Sequence, residues 1–355
     1  MRRIRIVIAD DSPFARELLR HLLEEVEGIE VVGEATNGQQ AVALVQQLHP
    51  NLVTMDLEMP VMGGLEAISE IMCTKAVPIL VVSSLTDAPT ALEALRLGAL
   101  DVIEKPEIGA ASAEQLIAKV QLLAGVAVVT RLRPGRMSHT AATRMPESKH
   151  SWSSLHAYPR LFAIASSMGG PQALARILPD LPEDFCCPIL IAQHISDGFA
   201  HGIVEWLSGL CRLPVRLAVD GVLLEPGVIH VSPSEAHLTV TSASRIALLP
   251  RSAQDIYHPS CDHLLLSVAH WFGARAIGII LTGMGHDGAA GMLRIRERGG
   301  ITLAQDEASS MIFGMNQAAI RAGAIQRILP LEAMAGEMIR LSRSGGPVFT
   351  SGGQP

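Results

Sequence analysis

Residues 52–67 read LVTMDLEMPVMGGLEA, and this stretch decides the fold. Four apolar or β-branched residues run into Asp56, a loop with Pro60, Gly63 and Gly64 follows, and a helical pattern begins. A short buried strand that ends on a carboxylate and returns through a helix is half of a βαβ unit. The same unit recurs on both sides. Strand patterns occupy IRIVIAD (4–10), GIEVVGEA (28–35), LVTMD (52–56), PILVVSS (78–84) and DVIEKP (101–106). Helical patterns such as FARELLRHLLEEV (14–26) and GQQAVALVQQL (38–48) fill the intervals. Five strands at this spacing predict a flavodoxin-like, five-stranded parallel α/β domain over residues 1–124.

Beyond it the pattern breaks. Residues 125–157 are rich in Ser, Thr, Arg and Pro and carry little hydrophobic period, so they read as an interdomain linker. From Leu161 the alternation resumes in LFAIAS, PILIAQH, GVIHVS, AIGIILTG and GITLAQ. That predicts a second doubly wound, mostly parallel α/β domain over 158–345. Residues 227–249 read as a short antiparallel meander, a small hairpin inserted in it. Residues 346–355 are expected to be a disordered tail.

Composition narrows the function. The net charge of −7 is uneven: residues 1–122 hold nine basic and eighteen acidic side chains, and residues 123–157 hold five and one. Neither large segment resembles a nucleic-acid surface, so no nucleic-acid partner is expected. No apolar run reaches the roughly 20 residues of a membrane helix, so no membrane insertion is expected either. The apolar run after MRR is too short for a signal peptide, and Asp10 and Asp11 close it; a cytoplasmic protein is the reading. Five cysteines without a CxxC pair argue against a disulfide framework and a cysteine-based zinc site.

The strand ends carry the chemistry. Asp10 and Asp11 end strand 1, Asp56 ends strand 3, Ser83 ends strand 4 and Lys105 ends strand 5. In an open parallel sheet these ends converge near the switch in strand order. Three clustered carboxylates repel unless a hard cation joins them, and Mg²⁺ takes oxygen ligands, so Asp10, Asp11 and Asp56 are candidate metal ligands. Asp56 can then attack a phosphoryl group, Lys105 can neutralise the developing charge, and Ser83 can hydrogen-bond a phosphate oxygen and move its loop.

Three motifs stand out in the second half. AIASSMGGPQAL (163–174) is strand, tight Ser/Gly turn and helix, the geometry of a nucleophile elbow; alone it is also compatible with a phosphate-binding turn, the less favoured reading. PILIAQHISDGF (188–199) brings His194 to a strand end, where it can be a general base or a structural histidine. AIGIILTGMGHDGAAG (276–291) places Asp287 in a Gly-rich turn, where it can orient an imidazole or cap a helix. Together they give a Ser…His…Asp order, which differs from that of the common α/β-hydrolases.

Residues 1–124, with MDLEMPVMGGLEA (55–67), resemble a two-component response-regulator receiver domain. That resemblance implies a backbone Mg²⁺ ligand at Glu58. An aromatic switch residue is frequent three positions before the lysine, and Val102 stands there instead. Over nearly the whole chain the sequence resembles the chemotaxis protein-glutamate methylesterases, with HPSCDHLLLSVA (258–269) and LAQDEASSMIFGMNQAAI (303–320) as further matching stretches. The resemblance implies Ser167 as nucleophile with His194 and Asp287, and oxyanion or supporting roles at Met168 and Met284. It implies Mg²⁺ for receiver phosphorylation and no cofactor for the esterase. It further implies methyl-accepting chemotaxis receptors as substrates, a histidine kinase as phosphoryl donor, and a receiver that gates the catalytic domain. Met168 and Asn316 depart from the usual Thr and Pro. That keeps open a paralogue acting on another receptor or ester, or a silent scaffold. A transcriptional regulator is disfavoured by the length and weak negative charge of the second half.

Overall fold

The computed structural model describes residues 3–83, 88–106, 110–126, 128, 158–195, 197–252 and 255–343. The expected linker lies outside them except for residues 125, 126 and 128, as does the expected tail. The chain forms two compact units, Met1–Ala157 and Tyr158–Pro355.

The first unit alternates strictly. Its strands are β1 (Ile4–Ala9), β2 (Ile29–Ala35), β3 (Leu52–Met55), β4 (Ile79–Ser83) and β5 (Asp101–Glu104). Its helices are α1 (Pro13–Glu24), α2 (Gly38–Leu48), α3 (Gly64–Thr74), α4 (Ala88–Leu97) and α5 (Ala110–Leu123). All pairings are parallel, in the order β2-β1-β3-β4-β5. The chain leaves β1 for β2 on one side and β3 on the other, so the switch point lies between β1 and β3. β3 and β4 are buried along their whole length, which is why they read as continuous apolar runs. Local signals fix the helix starts: Ser12 accepts the Ala15 N–H ahead of Pro13, and Asn37 accepts the Gln40 N–H. Helix α3 begins hard against the third strand's end. A Cβ on Gly64 would come within 2.2 Å of the Asp56 carbonyl oxygen, so only glycine fits.

The second unit is a seven-stranded parallel sheet, β14-β13-β12-β6-β7-β9-β8, with a separate two-stranded antiparallel ribbon. In chain order it runs β6 (Leu161–Ser166), α6 (Gly170–Ile177), β7 (Ile189–Gln193), α7 (Ala200–Leu210), β8 (Val215–Leu217) and β9 (Ile229–Val231). The ribbon β10 (Ala236–Val240) and β11 (Ile246–Pro250) follows. Then come α8 (Cys261–Phe272), β12 (Ala276–Ile280), α9 (Ala289–Glu297), β13 (Ile301–Gln305), α10 (Met315–Arg321), β14 (Arg327–Leu329) and α11 (Leu331–Arg343). The expected meander over 227–249 is only partly antiparallel: Ile229–Val231 joins the main sheet, parallel to β7 and β8. Its alternation is that of a fully buried strand, which periodicity does not separate from a hairpin arm. β8 and β14, three residues each, were too short to show in the sequence pattern. β6 lies between β7 and β12, so the switch point of this sheet is the crevice between β6 and β12.

Candidate functional site

Each switch point gathers ionisable side chains. In the first unit Asp10, Asp11 and Asp56 each bring a carboxylate oxygen within 4.8 Å of the others. Backbone bonds set their positions: the Asp56 N–H donates to Ala9 O at 2.8 Å and the Asp10 N–H to Ala35 O at 3.1 Å. Lys105 Nζ lies 2.7 Å from Asp56 Oδ2 and 3.0 Å from Asp10 Oδ2. Asp56 Oδ1 accepts the Leu57 N–H, and Asp10 Oδ1 accepts the Ser12 N–H. Asp10 Oδ2 is buried and makes no hydrogen bond of good geometry, so the nearby ammonium is its countercharge. Burial pushes the Asp56 carboxyl up; Lys105 pulls it back, and the Asp10 charge raises it further. Burial acts to lower the Lys105 ammonium, but its hydrogen bond to Asp56 and its close approach to the Asp10 carboxylate carry it upward. Negative charge is therefore in excess. An under-bonded buried carboxylate oxygen within a tight oxygen set fits a hard divalent cation such as Mg²⁺.

Ser83 is buried at the end of β4, and its carbonyl accepts the Lys105 N–H at 2.9 Å. Glu58 stands two residues past Asp56 with an exposed side chain. Val102 is buried in β5 opposite Val81.

In the second unit the two adjacent serines have different surroundings. Ser166 is fully buried and donates from Oγ to Gln193 Oε1 at 2.7 Å. Ser167 is half-buried in the turn into α6. Its N–H donates to Thr282 O at 3.1 Å, and its carbonyl accepts from Gly170 N at 2.8 Å and Gln193 Nε2 at 2.7 Å. Gly169 takes φ 77° in that turn, a left-handed value that glycine adopts freely. A Cβ on Gly283 would come within 2.7 Å of Ser167 Cβ, so the β12 loop approaches the serine as closely as a chain can.

His194 follows β7, with its N–H on Ser166 O at 3.0 Å. Its Nε2 lies 2.7 Å from Asp287 Oδ2, which places the ring proton on Nε2 and leaves Nδ1 as the basic nitrogen. Tyr257 stacks on the imidazole at 5.2 Å and 10°. The structure thus brings His194 and Asp287 into contact. No hydrogen bond joins Ser167 Oγ to His194; the two are linked through Gln193, which also donates to His194 O at 2.8 Å. Nucleophile–base bonds are commonly long before substrate binds.

Asp287 is almost saturated with donors. Beyond His194, it accepts from Ser260 Oγ (3.1 Å), Cys261 N (2.6 Å) and Asp262 N (2.9 Å) at the start of α8. Burial alone would raise this carboxyl; the His194 hydrogen bond and charge, with the two backbone donors, hold it below its ordinary range. Asp262 returns the arrangement, since its Oδ1 accepts the Gly291 N–H in the first turn of α9 at 2.7 Å. Each helix is capped by an aspartate from the other's N-terminal region.

Met168 is buried, and its carbonyl accepts from Thr282 Oγ1 at 3.0 Å. Met284 is 43% exposed on the Gly283–Gly285 turn. Asn316 is buried at the start of α10; its Nδ2 donates to Gln305 O at 2.8 Å and Ile280 O at 3.3 Å, while Oδ1 has no partner. A cleft of about 330 Å³ opens beside Asp287, lined among others by Ile256, Tyr257, Ser260, Leu266 and His286.

Sequence reading missed Ser260, Cys261, Asp262 and Tyr257 as parts of this site. Pro259-Ser260 before an apolar helical run is a helix-start signal that locates the α8 N-terminus, though not what it faces.

Residues 162–338 match the CheB methylesterase family, and residues 6–121 match the response regulator receiver domain. A protein-glutamate methylesterase/protein-glutamine glutaminase of Paramagnetospirillum magneticum is 48% identical over 96% of both chains. One from Pyrococcus abyssi is 35% identical over 97% of this chain and 96% of that one. The crystal structure of the Thermotoga maritima CheB methylesterase catalytic domain superposes with a TM-score of 0.50 at 31% identity, covering 51% of this chain and 98% of that one.

Proposed function

The chain belongs to the protein-glutamate methylesterase/protein-glutamine glutaminase family of response regulators, and we infer that it hydrolyses receptor glutamate methyl esters under control of Asp56 phosphorylation. The observation that carries the hydrolase reading is the part-buried His194–Asp287 pair, tied through Gln193 to the Ser167 elbow. Ser167 Oγ attacks the ester carbonyl as His194 Nδ1 takes its proton. Asp287 holds the Nε2–H tautomer and stabilises the imidazolium. The tetrahedral oxyanion develops by the α6 N-terminal turn and the Met284 turn, where backbone N–H groups at Met168 and Met284 are the assigned donors. His194 then protonates the departing methanol, or ammonia when a glutamine is the substrate. Water, activated by the same imidazole, releases the glutamate and restores the serine. The buried Ser166, committed to Gln193, supports the choice of its neighbour.

At the other switch point Asp56 accepts the phosphoryl group from a histidine kinase. Asp10, Asp11, Asp56 and the Glu58 carbonyl would hold Mg²⁺, which neutralises charge on the transferred group. Lys105 binds a phosphoryl oxygen, and Ser83 completes the switch. With Val102 in place of an aromatic ring, rotation of an aromatic side chain is not the signal. Methyl-accepting chemotaxis receptors are the substrates. No helix among the described residues is long and apolar enough to cross a membrane, and the cytoplasm, where the kinase acts, is the proposed compartment.

Methanol release from methylated receptors, with and without a small phosphodonor, tests the whole reading. Stimulation by the donor and loss in Ser167→Ala are expected. Undiminished release from Ser167→Ala removes the assigned nucleophile. A deletion of residues 1–124 that leaves the rate unchanged removes the gate.

A further inference from the structure

We propose that His194, Cys261 and Asp287 form an inhibitory site for a zinc-class divalent cation. The proposal deepens the hydrolase reading, because it recruits two members of the assigned triad. Cys261 is fully buried with its Sγ 3.4 Å from His194 Nε2, the same nitrogen that meets Asp287 Oδ2 at 2.7 Å. One nitrogen, one sulfur and one oxygen thus lie within 4.8 Å of one another. Zinc bonds of about 2.3 Å to sulfur and 2.0–2.2 Å to nitrogen and oxygen set tetrahedral edges of roughly 3.5 Å (N···S) and 3.4 Å (N···O). The N···S edge is already formed. The N···O edge opens by well under 1 Å.

The supporting shell exists too. Ser260 Oγ and the Asp262 N–H hold the other Asp287 oxygen, as outer partners orient metal-binding carboxylates elsewhere. The cleft lined by Tyr257, His286 and Asp287 is the way in, and a water completes the fourth position. The donor set is soft and borderline, unlike the all-oxygen cluster around Asp56, so the two sites discriminate between cations. On binding, the cation takes the Nε2 lone pair as the ring proton moves to Nδ1, and the thiol proton passes to solvent. Asp287 then no longer holds the Nε2–H tautomer, and Nδ1, now carrying the ring proton, has no lone pair to take the serine proton. Cysteine spacing gives no hint of such a site, because one cysteine supplies it and the partners lie 67 residues before and 26 after.

The test uses the full-length protein, freed of metal by chelator. Zn²⁺ added at constant Mg²⁺ should lower methanol release, reversibly on chelation. Cys261→Ser should need about tenfold or more Zn²⁺ for the same fractional loss relative to its own metal-free rate. Co²⁺ should give a thiolate-to-metal absorption band in the wild type that Cys261→Ser lacks and Cys211→Ser keeps. Identical Zn²⁺ curves for wild type and Cys261→Ser overturn the proposal. So does absence of the band in wild type at saturating Co²⁺, a result that needs no variant to fold. Should the protein release no methanol at all, the esterase reading fails while the cobalt band still decides the site.

Discussion

The two switch points use the same topology and treat their carboxylates in opposite ways. Around Asp56, charge is left short of partners: Asp10 Oδ2 makes no good hydrogen bond, and one ammonium serves two buried carboxylates. Around Asp287, charge is met in advance by an imidazole, a hydroxyl and two backbone N–H groups. The first arrangement stays responsive, because a cation and a phosphoryl group, bound there as proposed, would supply what the fold withholds. The second is preorganised, because nothing would need to rearrange if charge developed on the imidazole, as the proposed mechanism requires. A parallel sheet's switch point therefore fixes where chemistry happens. Whether it becomes a switch or a catalyst depends on how fully the fold solvates its own acids.

The contrast can be broken at several points. Asp287→Asn strikes hardest: loss of the tautomer control should lower kcat by about 10⁴-fold, read as methanol release. The same change takes an acceptor from α8, so the second unit should also unfold at lower urea. Asp10→Asn is the mirror experiment. Mg²⁺ affinity, read by quenching or calorimetry, should fall about tenfold or more. Without Mg²⁺, however, the first unit should be as stable as wild type or more so, because a repelling charge has gone. Stability lost equally in both variants would erase the distinction.

A third experiment sharpens it within the second unit. His230 on β9 is buried with neither ring nitrogen bonded, and burial, with the Arg216 charge, lowers its pKa from 6.5 to about 4. Below pH 6.5 the unfolded imidazole takes up a proton that the folded one refuses. Stability should thus fall as pH drops from 6.5 toward 4, by up to about 3 kcal/mol. His230→Leu should flatten that slope. Trp206 and Trp271, both in this unit, report the unfolding. The smallest effect is expected at Asn316. Asn316→Ala removes two donated bonds but also the unpartnered Oδ1, and the net change in urea unfolding should be about 1 kcal/mol.

How much of this was legible in the sequence follows the same division. Asp10, Asp11, Asp56 and Lys105 sit on strand ends, and strand ends are marked by the apolar runs before them. The cluster was therefore readable from spacing. The Asp287 shell was not. Ser260, Cys261 and Asp262 precede it by 25 to 27 residues and meet it only because α8 and α9 pack side by side. No period in the sequence records that contact. Ser167 and Ser166 are equally small and polar in the sequence; the Gln193 bond that commits Ser166 is a fact of packing. β8 and β14 escaped because three residues carry no pattern.

The crossed capping of α8 and α9 has a consequence for how this family drifts. Asp287 anchors a helix end whether or not any ester is ever cleaved, and Asp262 answers it. A descendant that lost Ser167 would gain nothing by losing Asp287 and would loosen two helices if it did. In such lineages the acid should outlive the activity. Its presence in a relative therefore testifies to an intact scaffold, and on the proposed mechanism the serine is the residue to inspect before calling that relative an enzyme.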